Sequence, residues 1–489
     1  MIFSLARCRA LLLVAAPLIA GVVQAQPAVM SSCYLDGLNE QIECGSLSLP
    51  EDYTQPKGHQ IEVHFARIPA IKQVPGMAPL LAITGGPGQS ALNDAALFEK
   101  VFSRIRQKRD LILIDQRGTG RSNLLNCDAQ LFGSPLPTND ETLNYEQLLS
   151  QCLSTMDADV RHYDSLNALK DFEAIRQHLG IDRWHLYGIS YGTRMAQLYM
   201  RHHPQAVQTV TLDGVVPMDQ PVVTISDAVA RASMQLFEEC RQDPHCHQQF
   251  GDIEQKLGTV LSRLAAKPVE LQVTDPLSAA PATFLVTPTK LQSAVRMALY
   301  SPSSRALVPF TIDQAWRGNF QPLLGMQVTS EEDGFGIALG MHLSVICAED
   351  QPRLTAKEAR RLSNASLTGK NMVNLFSTAC TLWQVPAATA EFGEPLTSEI
   401  PTLLLSGEKD PATPPSWGIK AQAGLSNSLH LIAPYATHGV AFQSCAPRII
   451  RAFIDSGSIE SLETDCLQMD TRRAFYLNAN GVEPVTRLK

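Results

Sequence analysis

The sequence predicts an α/β fold: a mostly parallel sheet flanked by helices, with an inserted, mainly helical cap domain. Several short apolar runs end in glycine-containing turns, as buried parallel strands do, and helical patterns lie between them. This strand rhythm disappears over residues 218–398, where helical periodicity dominates, and it returns at Thr402. We therefore expect a core domain built from residues 26–217 and 399–489, with a cap at residues 218–398.

The expected strands can be placed in chain order. Residues 61–68 alternate apolar and polar side chains, which is typical of a half-buried strand. Short apolar runs then follow at residues 79–83, 111–114, 184–187, 207–212, 402–405 and 428–432. A chain of 489 residues is too long for one compact core of ordinary size, in agreement with a core and a large insertion.

Helical spacing of apolar residues predicts the elements between these strands. Apolar side chains over residues 166–179 share one helical face, and Gly180 follows as a C-cap. Residues 193–203 predict a second helix, which Pro204 ends. In the expected cap, the same periodicity appears at residues 223–239 and 290–299.

The N-terminal segment has the features of a cleavable export signal. Arg7 and Arg9 precede an apolar run at residues 10–23, and small residues end at Ala25. The alternative is a membrane anchor, but the run is shorter than the ~20 residues that a span needs. Removal of residues 1–25 lowers the formal net charge from −8 to −10, which disfavours nucleic acid and anionic membranes as partners. We expect a periplasmic or secreted protein without a stable membrane anchor.

Cysteine usage agrees with export. Ten cysteines follow the signal, and an even number in an exported chain favours disulfide bonds. The sequence does not fix their connectivity, but pairing nearest neighbours closes short or moderate loops at 33–44, 127–152, 240–246, 347–380 and 445–466. The competing interpretation is a metal site at residues 245–247, His-Cys-His, although this spacing matches no zinc pattern. We therefore expect no metal site.

The motif GISYG at residues 188–192 places a serine between two glycines, after a predicted strand and before a predicted helix. Glycines allow the tight turn that exposes the Ser190 hydroxyl, and the helix N-terminus directs free N–H groups toward it. A small residue in an ordinary tight turn is the alternative. The strand and helix on either side favour Ser190 as a catalytic nucleophile.

A nucleophilic serine needs a base and an acid that orients the base. Asp410 follows the strand predicted at 402–405, and His438 follows the strand predicted at 428–432. The order Ser, Asp, His and the position at the carboxyl edge of the sheet both fit a triad. Glu408 is a competing acid, and a plain turn role for Asp410 is the other alternative.

Acyl transfer also needs N–H donors for the negative oxygen of its intermediate. We expect one donor to be the backbone N–H of Tyr191, directly after the nucleophile. The second expected donor is the backbone N–H of Gly86, in the glycine-rich loop at residues 84–88 after an early strand. A generic turn is the alternative for this loop. The chemistry requires no metal or organic cofactor.

Further motifs cover most of the chain outside the expected cap: GGPG (85–88), DQRGTGRS (115–122), GISYGT (188–193), LDG (212–214), GEKDPATP (407–414) and THG (437–439). With them the sequence resembles the prolyl iminopeptidase and tripeptidyl aminopeptidase family of α/β-hydrolase serine peptidases. Its length, export signal and C-terminal cysteines are more similar to the secreted tripeptidyl aminopeptidase branch. Thr84 departs from the histidine that is usual in the shorter enzymes.

The resemblance implies that carboxylates of the cap capture the free amine of a peptide substrate, because an ammonium group in a dry pocket needs such partners. Glu349 is the first candidate, followed by Glu239 and Asp350; a solvated charge on a helix face is the alternative for each. Arg117 and Arg121 of the DQRGTGRS motif are expected to pair with acids and brace the site.

Together these features predict an exported serine exopeptidase that cleaves short peptides or single residues from free N-termini through an acyl-enzyme. A carboxylesterase with the same triad is the first alternative. A hydrolase-like binding protein without activity is the second, although such proteins usually lack a triad member. The number of residues released per cut, a preference for proline and the oligomeric state are left open by the sequence.

Overall fold

The computed structural model describes residues 30–132, 134–332, 336–365 and 367–483. The export signal expected at residues 1–25 lies outside the described residues. Within them, the core is a nine-stranded sheet of strand order β1-β2-β3-β5-β4-β6-β7-β10-β11. Its strands are β1 Ser31–Cys33, β2 Ile42–Pro50, β3 Gln60–Ile68, β4 Leu80–Ile83, β5 Leu111–Ile114, β6 Trp184–Ile189, β7 Val207–Asp213, β10 Thr402–Gly407 and β11 Ser428–Ala433.

The six neighbouring strands β5, β4, β6, β7, β10 and β11 pair in parallel. Strands β1, β2 and β3 add an antiparallel edge beside β5. All residues of β4, β5 and β10 are buried, which explains why these strands are short continuous apolar runs. The predicted mostly parallel sheet is confirmed. Strands β1 and β2 were not predicted, because β2 mixes small and polar residues and leaves several of them partly exposed.

Helices cover both faces of this sheet. Those of the core are α1 Ala95–Arg106, α2 Ala129–Phe132, α3 Tyr145–Ser154, α4 Ser165–His178, α5 Tyr191–His202, α16 Pro415–Gln422 and α17 Ala446–Ser456. The helices predicted at residues 166–179 and 193–203 correspond to α4 and α5. Helix α4 begins where the Asp164 side chain accepts a hydrogen bond from the Asn167 amide.

Between β7 and β10 the chain is mainly helical. It contains α6 Ile225–Gln242, α7 Pro244–Phe250, α8 Ile253–Ala266, α9 Pro288–Ala298, α10 Pro302–Arg305, α11 Val308–Trp316, α12 Gln321–Glu332, α13 Leu339–Val345, α14 Ala356–Ala365 and α15 Gly369–Trp383. A two-stranded hairpin that was not predicted, β8 Val269–Thr274 with β9 Pro281–Val286, interrupts the helices. The division at residues 218 and 398 stays a prediction.

Part of this helical segment has a hydrophobic core of its own. The cluster centres on buried side chains of α6, α8 and α9, among them Leu236, Leu264 and Leu291. Residues from outside the segment also join it: Leu136, and Phe475 and Leu477 near the C-terminus. The C-terminal segment therefore packs against the same helices that we expect to form the cap.

Five disulfide bonds join nearest-neighbour cysteines at 33–44, 127–152, 240–246, 347–380 and 445–466. The sulfur of Cys246 is therefore bonded to Cys240 and is not free to bind a metal ion. None of the described helices combines the length and the hydropathy that a membrane crossing requires.

Candidate active site

Ser190 lies in the sharp turn between β6 and α5. Its backbone adopts φ 56° and ψ −125°, a conformation that is costly for a residue with a side chain. The Ser190 N–H donates to the Asp213 carbonyl at 2.9 Å, and the Thr193 hydroxyl donates to the Ser190 carbonyl at 2.6 Å. These bonds hold the turn in a geometry that the free chain would avoid.

The glycines of the motif are required by close backbone contacts. A Cβ atom on Gly188 would lie 2.3 Å from the carbonyl oxygen of Gly192. A Cβ atom on Gly192 would lie 2.4 Å from the carbonyl oxygen of Ile83, at the end of β4. The turn can pack against the neighbouring strand only because both positions lack side chains.

Asp410 and His438 come together at the carboxyl edge of the sheet, beyond β10 and β11. The His438 Nδ1 atom lies 2.9 Å from the Asp410 Oδ2 atom. The fully buried Asp410 carboxylate also accepts hydrogen bonds from the amides of Ala412 and Thr413, at 2.7 and 2.9 Å, and from the Thr413 hydroxyl at 2.8 Å. Four donors therefore fix one carboxylate in orientation and charge.

Burial and charge pairing shift the pKa values of Asp410 and His438 in opposite directions. Burial disfavours the Asp410 carboxylate, but His438 and the backbone amides outweigh it and lower the pKa of Asp410. Burial likewise disfavours the imidazolium, but Asp410 and, more weakly, Asp213 raise the pKa of His438. An ionised Asp410 takes the Nδ1–H as a donor, which leaves Nε2 as the proton acceptor.

Asp213, at the end of β7, is a buried carboxylate that sequence reasoning did not single out. Its Oδ1 atom accepts from the Val440 amide and its Oδ2 atom from the Ala441 amide, both at 2.8 Å. The Tyr187 hydroxyl donates to Oδ2 at 2.9 Å, and burial raises the pKa of Asp213. Asp213 thus contacts the serine turn through its carbonyl and the chain after His438 through its carboxylate.

The loop at residues 84–88 lies against Ser190. A Cβ atom on Gly85 would lie 3.0 Å from the Ser190 Cβ atom, and Gly86 adopts a φ of 106°. Tyr191 is the first residue of α5, so its amide has no acceptor within the helix. Its side chain is buried and contacts Gln116 and Ser165, so only its backbone is available to the site.

Residues from the segment between β7 and β10 cover this loop. The Ala338 amide donates to the Gly88 carbonyl at 3.0 Å, and the His342 Nδ1 atom lies 2.9 Å from the Pro87 carbonyl oxygen. The start of α13 is therefore held directly over the glycine-rich loop.

Glu349 and Asp350 lie on a π-helical turn, Ile346–Asp350, that follows α13; each is 1% exposed. Arg194 of α5 lies between them, with Nη1 3.5 Å from the Glu349 Oε2 atom and Nη2 3.1 Å from the Asp350 Oδ1 atom. The Ser165 amide donates to Glu349 Oε1 at 2.8 Å. Among the described residues, Glu349 Oε2 and Asp350 Oδ2 have no hydrogen-bond donor.

Burial dominates the protonation of Glu349. It raises the pKa of this carboxyl to about 7, against the opposing effect of Arg194 and of hydrogen bonding from Ser165. A group whose charge changes near neutral pH in a buried position is a candidate for function.

Glu239 has different partners. It lies on α6, with Oε2 2.6 Å from Arg305 Nη1 and Oε1 2.6 Å from Lys409 Nζ. Burial opposes its ionisation, but the two cations prevail and lower the pKa of Glu239. Its single charge faces two cations, whereas Glu349 and Asp350 share Arg194 and Arg353 between them, with Arg353 Nη2 3.1 Å from Asp350 Oδ1.

Arg117 has a structural role. Its side chain is fully buried, with Nε and Nη2 each 2.6 Å from an oxygen of Asp171, and it also donates to three backbone carbonyl groups. Arg121 is exposed, and it contributes its backbone N–H to Asp115 at 2.9 Å. The expected pairing with an acid is therefore seen for Arg117.

Comparisons with known proteins identify the family to which this fold belongs. The family model for the alpha/beta hydrolase fold matches residues 78–443, from the strand before the glycine-rich loop to the chain just after His438. The serine protease Hip1 of Mycobacterium tuberculosis (strain ATCC 25618 / H37Rv) is 25% identical over 464 residues, which cover 86% of this chain and 87% of Hip1.

Two further relatives are named for different activities, a peptidase and an esterase. The tripeptidyl aminopeptidase of Streptomyces lividans is 28% identical over 194 residues, covering 37% of this chain and 36% of that protein. Carboxylesterase B of Mycobacterium tuberculosis (strain CDC 1551 / Oshkosh) is 26% identical over 444 residues, covering 81% and 79%. The protein is thus a hydrolase related to serine peptidases, and the chain belongs to the α/β-hydrolase fold family.

Proposed function

We propose that this protein is an exported serine exopeptidase that removes short peptides or single residues from free N-termini. Ser190 is the nucleophile, His438 the base and Asp410 the group that orients His438. The observation that carries the proposal is the buried Asp410–His438 pair, 2.9 Å apart, at the sheet edge where Ser190 occupies its strained turn.

The reaction follows from these positions. The Ser190 Oγ atom attacks the peptide carbonyl carbon while His438 Nε2 takes the hydroxyl proton. The amides of Gly86 and Tyr191 donate to the resulting oxyanion. The C–N bond then breaks as His438 returns the proton to the leaving amine, and a serine ester remains. Water attacks this ester with His438 again as the base, which releases the acyl product and restores Ser190.

The preference for a free N-terminus is supported by the two carboxylates on the π-helical turn. Glu349 and Asp350 keep oxygen atoms without donors in a buried position, where a protonated amine supplies donors and charge. Glu239 is the weaker candidate, since Arg305 and Lys409 already neutralise it.

Export is part of the proposal. Five disulfide bonds favour an oxidising compartment, in agreement with the signal expected at residues 1–25. N-terminal sequencing of the protein purified from its host tests this: a mature chain beginning near residue 26 supports cleavage.

Activity is tested in two steps. A fluorophosphonate probe should label the wild type but not Ser190→Ala, and absence of labelling in both contradicts the proposed triad. Aminoacyl, dipeptidyl and tripeptidyl p-nitroanilides are then compared with free and acetylated N-termini. We expect cleavage of the free substrates and strong loss on acetylation, and the length of the best substrate gives the number of residues released.

Carboxylesterase activity is the second candidate, because Carboxylesterase B aligns over most of the chain. The same triad cleaves esters, so p-nitrophenyl esters of short fatty acids are the matched substrates. Rapid ester hydrolysis together with equal rates on free and acetylated peptides would favour the esterase over the aminopeptidase.

A further inference from the structure

A cavity of about 450 Å³ lies beside the loop that carries His438. Tyr435 and Thr437 of this loop form one wall, Arg305 of α10 forms another, and Arg472 and Arg473 of the C-terminal segment line the rest. We propose that this cavity binds a carboxylate group on the leaving portion of a peptide substrate. The inference rests on the proposed peptidase function and adds a second recognition site to it.

The cavity adjoins His438 through the loop that carries it, and we infer that the leaving portion of the substrate lies on this side. Its wall residue Thr437 precedes His438, and the Thr437 hydroxyl donates to the Tyr300 carbonyl at 2.7 Å. The Tyr300 ring in turn packs edge-on against the imidazole, with centroids 5.3 Å apart. Because His438 gives its proton to the leaving amine, the C-terminal part of the substrate passes the imidazole. This part carries the terminal carboxylate of a short peptide.

Arg305 supplies unused hydrogen-bond donors. The residue is 6% exposed, and its Nη1 atom is 2.6 Å from Glu239, whereas Nε and Nη2 have no acceptor among the described residues. Buried guanidinium donors are normally satisfied, so two without an acceptor point to a missing partner. Both atoms are enclosed, so the Arg305 side chain, which lines the cavity, must turn for them to meet a ligand there. A carboxylate fits, since its two oxygens match adjacent donors of a guanidinium.

The acids of the cavity wall are already engaged. Glu239 contacts both Arg305 and Lys409, Asp470 accepts from Arg472 Nε at 3.0 Å, and the Asp243 carboxylate accepts the first amides of α7. In the part of the chain that the structure describes, Arg473 has no acidic partner. Asp243 keeps its negative charge, but three arginines of the wall and Lys409 outnumber its three acids, which favours an anion over a second amine.

The test compares two pentapeptides of alanine with free N-termini, one ending in a carboxylate and one in a carboxamide. Cleavage is followed by mass spectrometry at neutral pH in low salt, together with the free-amine p-nitroanilides. We expect the wild type to have a kcat/KM about fivefold higher for the carboxylate, the upper range for a partly exposed charge pair. The preference should weaken at high ionic strength, because salt screens such pairs.

Variants assign the preference to this cavity. Arg473→Gln removes the exposed cation, and Arg305→Lys keeps a charge for Glu239 while removing the planar fork. In both we expect the carboxylate-to-carboxamide ratio to fall toward one. Arg104→Gln, an exposed arginine of α1, is the matched control and should keep the wild-type ratio.

Equal wild-type rates on the two pentapeptides would overturn the carboxylate site while p-nitroanilide cleavage still supports the peptidase. A ratio unchanged in both Arg473→Gln and Arg305→Lys would overturn its assignment to this cavity. Failure to cleave any substrate with a free N-terminus would instead overturn the proposed function.

Discussion

Asp213→Asn tests whether the buried carboxylate at the end of β7 positions His438, the proposed catalytic base. Asp213 offers one oxygen to the Val440 amide and the other to the Ala441 amide and the Tyr187 hydroxyl. Asparagine has the same shape but only one acceptor oxygen, so its NH₂ group faces at least one of these donors. The chain after His438 must then shift or leave a buried donor unpaired.

The expected magnitude follows from the bonds that are lost. A hydrogen bond to a charged group contributes ~1.5–3 kcal/mol, and an unpaired buried donor costs ~1–3 kcal/mol. If most of this energy is spent on displacing His438, kcat falls about 10- to 100-fold, since each tenfold loss in rate corresponds to ~1.4 kcal/mol. KM should change little, because Asp213 contacts the backbone of the Ser190 turn and is not part of the expected amine site at Glu349 and Asp350.

A pH profile separates positioning from general damage. Asp213 contributes to the raised pKa of His438, so loss of its charge should lower that pKa. The acid limb of kcat/KM should therefore move to lower pH in Asp213→Asn. Thermal unfolding verifies that the variant is folded, and Asp36→Asn, at an exposed aspartate between β1 and β2, serves as the control. A kcat within twofold of wild type and an unmoved acid limb would refute the reasoning.

Three further predictions concern the same site. In Thr413→Ala the Asp410 carboxylate loses its hydroxyl donor at 2.8 Å, so kcat should fall about tenfold with KM unchanged; an equal kcat would contradict this role. In Glu349→Gln the KM for free-amine p-nitroanilides should rise about tenfold, while acetylated substrates should not respond. In the wild type, the KM for free-amine substrates should be lowest between pH about 7 and about 8. Glu349 ionises at the lower limit, and the α-amino group of the substrate loses its proton at the upper one. A KM that does not change with pH would count against Glu349.

The parts of the fold that could be predicted are those encoded locally. Strands β4, β5 and β10 are buried on both faces, so their burial appears in the sequence as continuous apolar runs. The hairpin β8–β9 was missed although Val269–Thr274 alternates apolar and polar residues, because helical patterns surround it. In strand β2 the alternation changes phase between Cys44 and Leu47, so it gives no continuous strand pattern, and its place in the sheet depends on pairing with β3.

The same distinction applies to the site. Ser190, Asp410 and His438 could be named because each follows a strand in a recognisable turn, and their catalytic roles stay predictions. Asp213 could not be assigned a role, because its partners Val440 and Ala441 are more than 200 residues away along the chain. Such contacts exist only after the sheet has brought β7 next to β10.

Two charged clusters lie on or beside elements that carry proposed triad residues, and they bear on what the enzyme cleaves. Arg194 holds Glu349 and Asp350 against α5, the helix that follows the nucleophile, whereas the arginine-lined cavity adjoins the loop of His438. In acyl transfer the acyl portion remains on the serine and the leaving portion departs past the histidine. A peptide bound with its amine near the carboxylates and its carboxylate near the arginines matches both clusters at once. Such a peptide must be short enough for both ends to be recognised, so short peptides should be better substrates than proteins.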